Sequence, residues 1–363
     1  MSAAQPPTLR MPAEWAPQAC VWMLWPERPD NWRLQAAPAQ SAYAEVARAI
    51  ARFTPVRLGV SPKLHAEVAL RFAHDAGIEC VPMASNDAWM RDVGPTVVWS
   101  ESQQQWLGND WVFNAWGGDL GGLYAPWDTD DAVAQAVCQH QGLARVRADF
   151  VLEGGAIHVD GEGTLLTTEE CLLNPNRNPH LNRGDIEQRL RDWLGVSTII
   201  WLPEGVFEDE TDGHVDNMAC FLRPGVVALA WCEDQKDPQY ARSRAAEAVL
   251  QASRDAQGRT LEIVRLPVPG PLFITAEEAQ GVGMDSQGMA RNDGQRLAAS
   301  YVNFLITNGA IILPSFNDPM DAVAQARLAD ACPNYEIVPI PAREILLGGG
   351  NIHCITQQIP AAL

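Results

Sequence analysis

Two rhythms of apolar positions alternate along this chain. Five stretches carry helix punctuation at both ends. Residues 61–76 open with Ser61-Pro62 and close at Gly77, and 128–141 open near Asp128 and close at Gly142. Residues 185–194 open at Asp185 and close at Gly195, and 237–256 open with Asp237-Pro238 and close at Gly258. Residues 318–331 open with Asp318-Pro319 and close before Pro333. An N-cap oxygen followed by proline starts a helix, because proline lacks a donor that would go unpaired there. Glycine ends one by accepting the left-handed conformation.

A short apolar run follows each predicted helix: IECVP at 78–82, LARVRA at 143–148, STIIWLP at 197–203, TLEIVRLPV at 260–268 and YEIVPI at 335–340. Their length and β-branching predict strands. After most of them comes a pair of strand-like segments joined at Gly, Asn or Asp: PTVVWS with QWLGN, then the pairs within AIHVDGEGTLLTT, HVDNMACFLRPGVVALAW and YVNFLITNGAIILPS. The unit reads helix, strand, loop, hairpin and recurs about five times at a spacing of about 60 residues, which suggests a propeller or array. An ordinary α/β sheet with coincidentally similar loops is the competing architecture. The last unit, NIHCITQQIP, runs out at the C-terminus. Its expected partner is ACVWMLWP at 19–26, so the chain ends should pair and close a ring. The Pro-rich residues 1–12 are expected to be loose. No linker or low-complexity tract divides residues 1–363, so a single domain is expected.

Composition narrows the partners. Lys and Arg number 26 against 45 Asp and Glu, a net charge of −19. That argues against nucleic acid, whose phosphates need a basic face. It suits solubility, or a small cation drawn into an acidic cleft. With 47% hydrophobic and 20% charged residues, disorder is not expected. The eight cysteines are scattered with no C-x-x-C pair, so reduced thiols are expected rather than disulfides or a zinc ribbon. No apolar signal-like stretch opens the sequence and no run of 18 apolar residues occurs. The expected location is therefore the cytoplasm, with no membrane contact.

Candidate chemistry falls in five clusters at corresponding places in the units, expected to converge at one end of the ring. They are NDAWMRDVGP at 86–95, FNAWGGD at 113–119, LEGGAIHVDG at 152–161, EDETDGHVDN at 208–217 and LGGGNIHC at 347–354. His214 and Asp216 lie two apart in a strand-like run, so both should face one site. Glu208, Asp209, Glu210, Asp212 and Asp216 crowd one stretch, which self-repulsion penalises unless a cation comes or the loop is solvated. His158 and Asp160 repeat the His-x-Asp pattern, where a hairpin hydrogen bond is the simpler role for His158. Trp89 beside Asp92 suits a planar delocalised cation; equally, Trp89 could anchor its loop and Asp92 could pair with Arg91. Cys354 follows three glycines that let backbone approach a ligand closely. A thiol there can be a nucleophile, but spacing alone does not select it over the other seven.

The motifs NDAWMRDVGP, LEGGAIHVDGEGTLLTTEECLLNPNRNP, ETDGHVDN and GGGNIHC, in this order and with the opening MPAEWAPQACVWMLWP, resemble the agmatine deiminase family of the guanidine-modifying pentein superfamily. The resemblance covers nearly the whole chain. It implies an α/β fold, a five-bladed propeller of ββαβ units with pseudo-fivefold symmetry. It implies hydrolysis of agmatine to N-carbamoylputrescine and ammonia, in putrescine biosynthesis, without a cofactor. By the same resemblance Cys354 is the nucleophile, His214 the general acid and base, and Asp92 and Asp216 the guanidinium-binding carboxylates. Glu153 matches a motif position as a supporting carboxylate. Trp89 and Trp116 are candidates for the substrate channel, and Glu210 and Asp212 for the substrate's far amine. A homodimer or higher homo-oligomer is a further expectation.

Other readings compete. Within the same superfamily an arginine or peptidyl-arginine deiminase is the alternative. An arginine-specific site would need a cationic clamp on the α-carboxylate, for which the motifs offer only Arg91 and Arg177, and a secreted peptidyl form would be expected to carry a signal peptide. His158, Asp160, His214 and Asp216 could instead be ligands in a metal hydrolase. A non-catalytic ring-shaped binding module is the third class.

Overall fold

A computed structural model describes residues 9–283, 288 and 290–362. Among these, the strands form five separate small sheets built on one plan. An antiparallel hairpin leads into a helix, and the chain returns as a third strand parallel to the second. Thr96–Ser100 and Gln105–Val112 are joined by Ala144–Val151 after the helix Val133–Gln141. His158–Val159 and Thr164–Thr168 are joined by Thr198–Leu202 after Arg183–Leu194. Ala219–Arg223 and Val226–Trp231 are joined by Glu262–Pro267 after Pro238–Ala252. Leu305–Thr307 and Ala310–Ser315 are joined by Glu336–Pro341 after Met320–Ala331.

The fifth sheet takes strands from both ends of the chain. Gln357–Pro360 runs antiparallel to Gln18–Leu24, with Gln357 opposite Trp22 and Ile359 opposite Cys20. Val56–Val60 and Ile78–Pro82 follow in parallel. The terminal pairing expected from sequence is therefore present. The second strand of each three-stranded sheet is its middle strand, flanked on both edges. Val226–Trp231 is accordingly buried at every residue, as a near-continuous apolar run requires.

Three expectations are corrected. The helix predicted over 61–76 is only His65–Arg71, and it leads to an added fourth strand. The helix that completes this sheet's common plan is Ala37–Ala51, which buries Tyr43, Val46, Ala47 and Ile50. It escaped because its start has no capping side chain. The chain enters through left-handed backbone at Leu34, Gln35 and Ala36 instead. Second, the strand read from His214 begins only at Ala219; Val215–Met218 is a single helical turn. Third, the start of the chain is not loose throughout: Leu9–Arg10 pairs with Trp99 and Ser100. The rest of the Pro-rich start up to residue 8 lies outside the described residues.

Candidate active site

Loops from four of the five motif clusters line one open cavity of about 470 Å³, a size ordinary for a small-molecule site. Trp89, Asp92, Trp116, Glu210 and Cys354 all face it. The remaining cluster, LEGGAIHVDG, reaches the site from behind through Glu153 and Gly155.

Asp92 sits in the short helix Met90–Val93, which Gly94 terminates. That turn is tied to the cysteine loop by a backbone bond from Arg91 N–H to the Cys354 carbonyl (3.0 Å). Asp92 does not pair with Arg91. Its two oxygens accept from Trp116 Nε1 (3.0 Å) and Gly155 N (2.8 Å). Burial, with Asp216 and Glu153 nearby, pushes its carboxyl up to about 6 against the opposing pull of His214. Arg91 is buried and donates from Nε to the His353 carbonyl.

His214 precedes the turn Val215–Met218, and Asp216 lies in that turn. The expected convergence is real, but turn geometry produces it, not strand alternation. A methyl group placed on Gly155 would meet His214 Nδ1 at 2.5 Å, Asp92 Oδ1 at 2.9 Å and Asp216 Oδ2 at 3.0 Å. Three side chains from two motifs thus surround one α-carbon that must be glycine. His214 Nδ1 is 3.9 Å from Asp92 and its Nε2 is 3.8 Å from Glu153. Burial opposes its protonation, but Asp92, Cys171 and Glu153 outweigh it and raise the imidazole well above its ordinary value. Burial likewise works against charge on Glu153, yet Arg177 at 2.7 Å and His214 hold it at about 2.

Cys354 lies in a turn after the three glycines. The buried side chain of Asn303 shapes that turn: its Oδ1 accepts from His353 N (2.9 Å), and its Nδ2 lies 3.2 Å from Cys354 Sγ. Asp216 Oδ2 is 3.6 Å from the sulfur. Burial first, then Asp216 and Asp92, push the thiol well above its ordinary value. Geometry therefore distinguishes Cys354 among eight free cysteines: it alone of them lines this cavity.

The flanking candidates fare differently. Trp89 stacks on Trp32 at 5.3 Å, and both indole N–H groups donate to the buried Asp87. Trp116 meets Trp89 edge-on at 6.4 Å. Glu210 reaches the cavity wall, but both its oxygens are engaged by Arg291. Asp212 turns away, accepting from Arg177 (2.6 Å) and Asn176 (2.8 Å). Within the crowded acidic stretch Glu210 is engaged by Arg291, Asp212 by Arg177 and Asp216 by His353, while Asp209 accepts from Thr211 and Asn217. Arg177 is likewise consumed by carboxylates.

The four residues weighed as metal ligands are not gathered into one set. Asp160 caps a turn at Glu162 and Thr164. His158 accepts from Phe221 N in the next sheet rather than within its own hairpin, while His214 and Asp216 serve the cavity. Sequence reasoning missed Asn303, Arg291 and Glu14. The first two sit in no motif; Glu14 was within sight in MPAEW, but nothing local marks it as part of the site.

The profile of the Porphyromonas-type peptidyl-arginine deiminase family matches residues 10–360. An agmatine deiminase of Pseudomonas aeruginosa is 58% identical over 353 residues, covering 97% of this chain and 95% of that protein. The chain belongs to the agmatine deiminase family. A second relative, the agmatine deiminase of Pseudomonas putida, is 57% identical over 352 residues, with the same shares of both chains covered. The solved agmatine deiminase of Enterococcus faecalis superposes with a TM-score of 0.94 at 43% identity, covering 99% of both chains. The fold is therefore that of the family.

Proposed function

We propose that this protein hydrolyses agmatine to N-carbamoylputrescine and ammonia through a covalent intermediate on Cys354. The observation that carries this reading is the sulfur beside Asp216 and opposite Asp92 in a cavity walled by Trp89 and Trp116. Resonance makes the guanidinium carbon a poor electrophile, so it must be held and oriented against a nucleophile. Asp92 and Asp216 supply charge-assisted bonds to its nitrogens.

Burial and the nearby carboxylates Asp216 and Asp92 favour the protonated thiol of Cys354 before substrate binds. A bound guanidinium adds one positive charge beside the sulfur, and Cys354 then releases its proton to solvent. The thiolate then forms the S–C bond to the guanidinium carbon. His214, held protonated by Asp92 and Glu153, gives its proton to the departing nitrogen as the C–N bond breaks. Ammonia leaves and a thiouronium remains. Neutral His214 next takes a proton from water, whose oxygen attacks the same carbon, and the S–C bond breaks to free Cys354.

Agmatine is preferred over arginine because the cavity offers no unengaged cation among its described residues. Arg28 is paired with Asp30 and Arg291 with Glu210, so a substrate carboxylate finds no clamp. The family profile carries a peptidyl-arginine name, but the full-length relatives above are agmatine deiminases. The product leads toward putrescine, which puts the reaction in polyamine synthesis from arginine. We read the five ββαβ sheets as the blades of a pentein propeller, closed by the terminal strand pairing. No helix among the described residues is long and apolar enough to cross a membrane, and we assign the protein to the cytoplasm. We keep a homo-oligomer as part of this proposal.

Ammonia release with agmatine, free arginine and a peptidyl-arginine, alongside Cys354→Ser, tests the reading. Agmatine should dominate in kcat/KM, and the serine variant should be inactive with an unchanged thermal melt. Equal turnover of arginine would sink the substrate assignment; an active serine variant would remove Cys354 from the mechanism.

A further inference from the structure

His353, next to the nucleophile in sequence, is buried between two carboxylates. Its Nδ1 lies 2.8 Å from Asp216 Oδ2 and its Nε2 lies 2.9 Å from Glu14 Oε2. An ionised carboxylate only accepts hydrogen bonds. Glu14 has donors at both oxygens. Oε1 accepts from Ile306 N (2.7 Å), and Oε2 also faces His158 Nε2 at 3.5 Å. His158 Nδ1 accepts from Phe221 N (3.2 Å), so the proton of neutral His158 sits on Nε2 and points at Glu14. The donors at Ile306 and His158 favour the ionised form of Glu14, and its carboxyl, like that of Asp216, is held below its ordinary value. With both carboxylates ionised, both ring nitrogens of His353 donate.

The same tautomer argues against reading Glu14, His158 and His353 as a metal site, although their ligand atoms cluster within 4.8 Å. A protonated Nε2 cannot ligate.

We infer that His353 is a positioning residue for the deiminase reaction, held as an imidazolium between Glu14 and Asp216 so that Asp216 stays ionised with one oxygen pinned. The other oxygen, Asp216 Oδ1, is buried and has no partner in the protein. It is the acceptor left for the guanidinium. The groups facing His353 are Asp216 from the turn 215–218, Glu14 from the segment before Gln18–Leu24, His158 from the strand His158–Val159, and Arg91 from the helix Met90–Val93. Adjacent Cys354 completes them. The two carboxylates favour the charged ring, and burial and Arg91 oppose it. This inference rests on the agmatine deiminase reading.

Histidine-labelled full-length protein tests it directly by ¹⁵N NMR, with the His353 signals assigned through His353→Asn. Both nitrogens should show imidazolium shifts from pH 6 to 8. Glu14→Gln should move one nitrogen to the unprotonated range near neutral pH and lower kcat/KM for agmatine at least tenfold. An asparagine amide at this position can still donate to Asp216, so His353→Asn should keep at least ten times more kcat/KM than His353→Ala. A merely structural role predicts equal losses that follow thermal stability. A neutral His353 in an enzyme that turns over agmatine overturns the inference and leaves the substrate assignment standing. An imidazolium His353 in a protein inert toward agmatine overturns the substrate assignment, and the positioning role falls with it.

Discussion

At the residue scale the site is a set of charges placed around one glycine. Gly155→Ala puts a methyl 2.5 Å from His214 Nδ1, so imidazole or backbone must shift. Misplacement of a catalytic group by an ångström costs about a hundredfold. We expect kcat/KM for agmatine to fall at least that far while the melt changes little, since the clash is with side chains of the site. The pH dependence follows from Asp92. Its carboxyl titrates at about 6, and only the ionised form binds a guanidinium. kcat/KM should therefore be full above this value and fall as pH drops through it, and a profile flat down to pH 4.5 would contradict this. Asp216 raises the thiol in the resting enzyme. Asp216→Asn should then give faster iodoacetamide labelling of Cys354 at neutral pH, yet turnover at least about a hundredfold lower, as loss of a buried charge partner implies. Parallel changes in both quantities would contradict the assigned role.

At the element scale, caps and hairpins are local matters that should be separable from catalysis. The helix Arg183–Leu194 starts with a reciprocal cap: Asn182 Oδ1 accepts from Asp185 N at 3.1 Å, and Asp185 Oδ2 accepts from Asn182 N at 3.0 Å. Asn182→Ala should cost about 1 kcal/mol of stability by denaturant titration and leave kcat/KM unchanged. The helix Ala37–Ala51 makes the opposite case. It has the apolar periodicity of a core helix but no side-chain cap, and its entry depends on packing and left-handed backbone.

At the scale of the whole molecule, acidic residues outnumber basic ones, 45 against 26. Glu210 at the cavity wall is already taken by Arg291, so this excess acts on substrate from a distance. Agmatine, a dication at neutral pH, should be steered by this field, and salt screens it over about 10 Å at 0.1 M. Raising sodium chloride should lower kcat/KM for agmatine several-fold with kcat nearly constant. An alkylguanidine monocation should respond less, and equal salt slopes for the two would rule steering out.

The repeat, its helix starts and its hairpins were legible along the chain because proline, glycine and capping oxygens act within a few residues of themselves. Terminal strand pairing was legible for a related reason, since NIHCITQQIP lacked a partner and ACVWMLWP lacked its own. The motifs marked Cys354, His214, Asp92 and Asp216 only through their likeness to a family; spacing could not choose among eight cysteines. What the tertiary structure decided was who faces whom. Glu210 and Asp212 read as free acidic groups until Arg291 and Arg177, 81 and 35 residues away, were seen to engage them. Glu14 lies 339 residues from His353 and Asn303 lies 51 from Cys354. Ionic and hydrogen bonds act over a few ångströms in space, and a sequence records only the order of its residues, so such partnerships exist only once the chain ends and the five sheets are brought together.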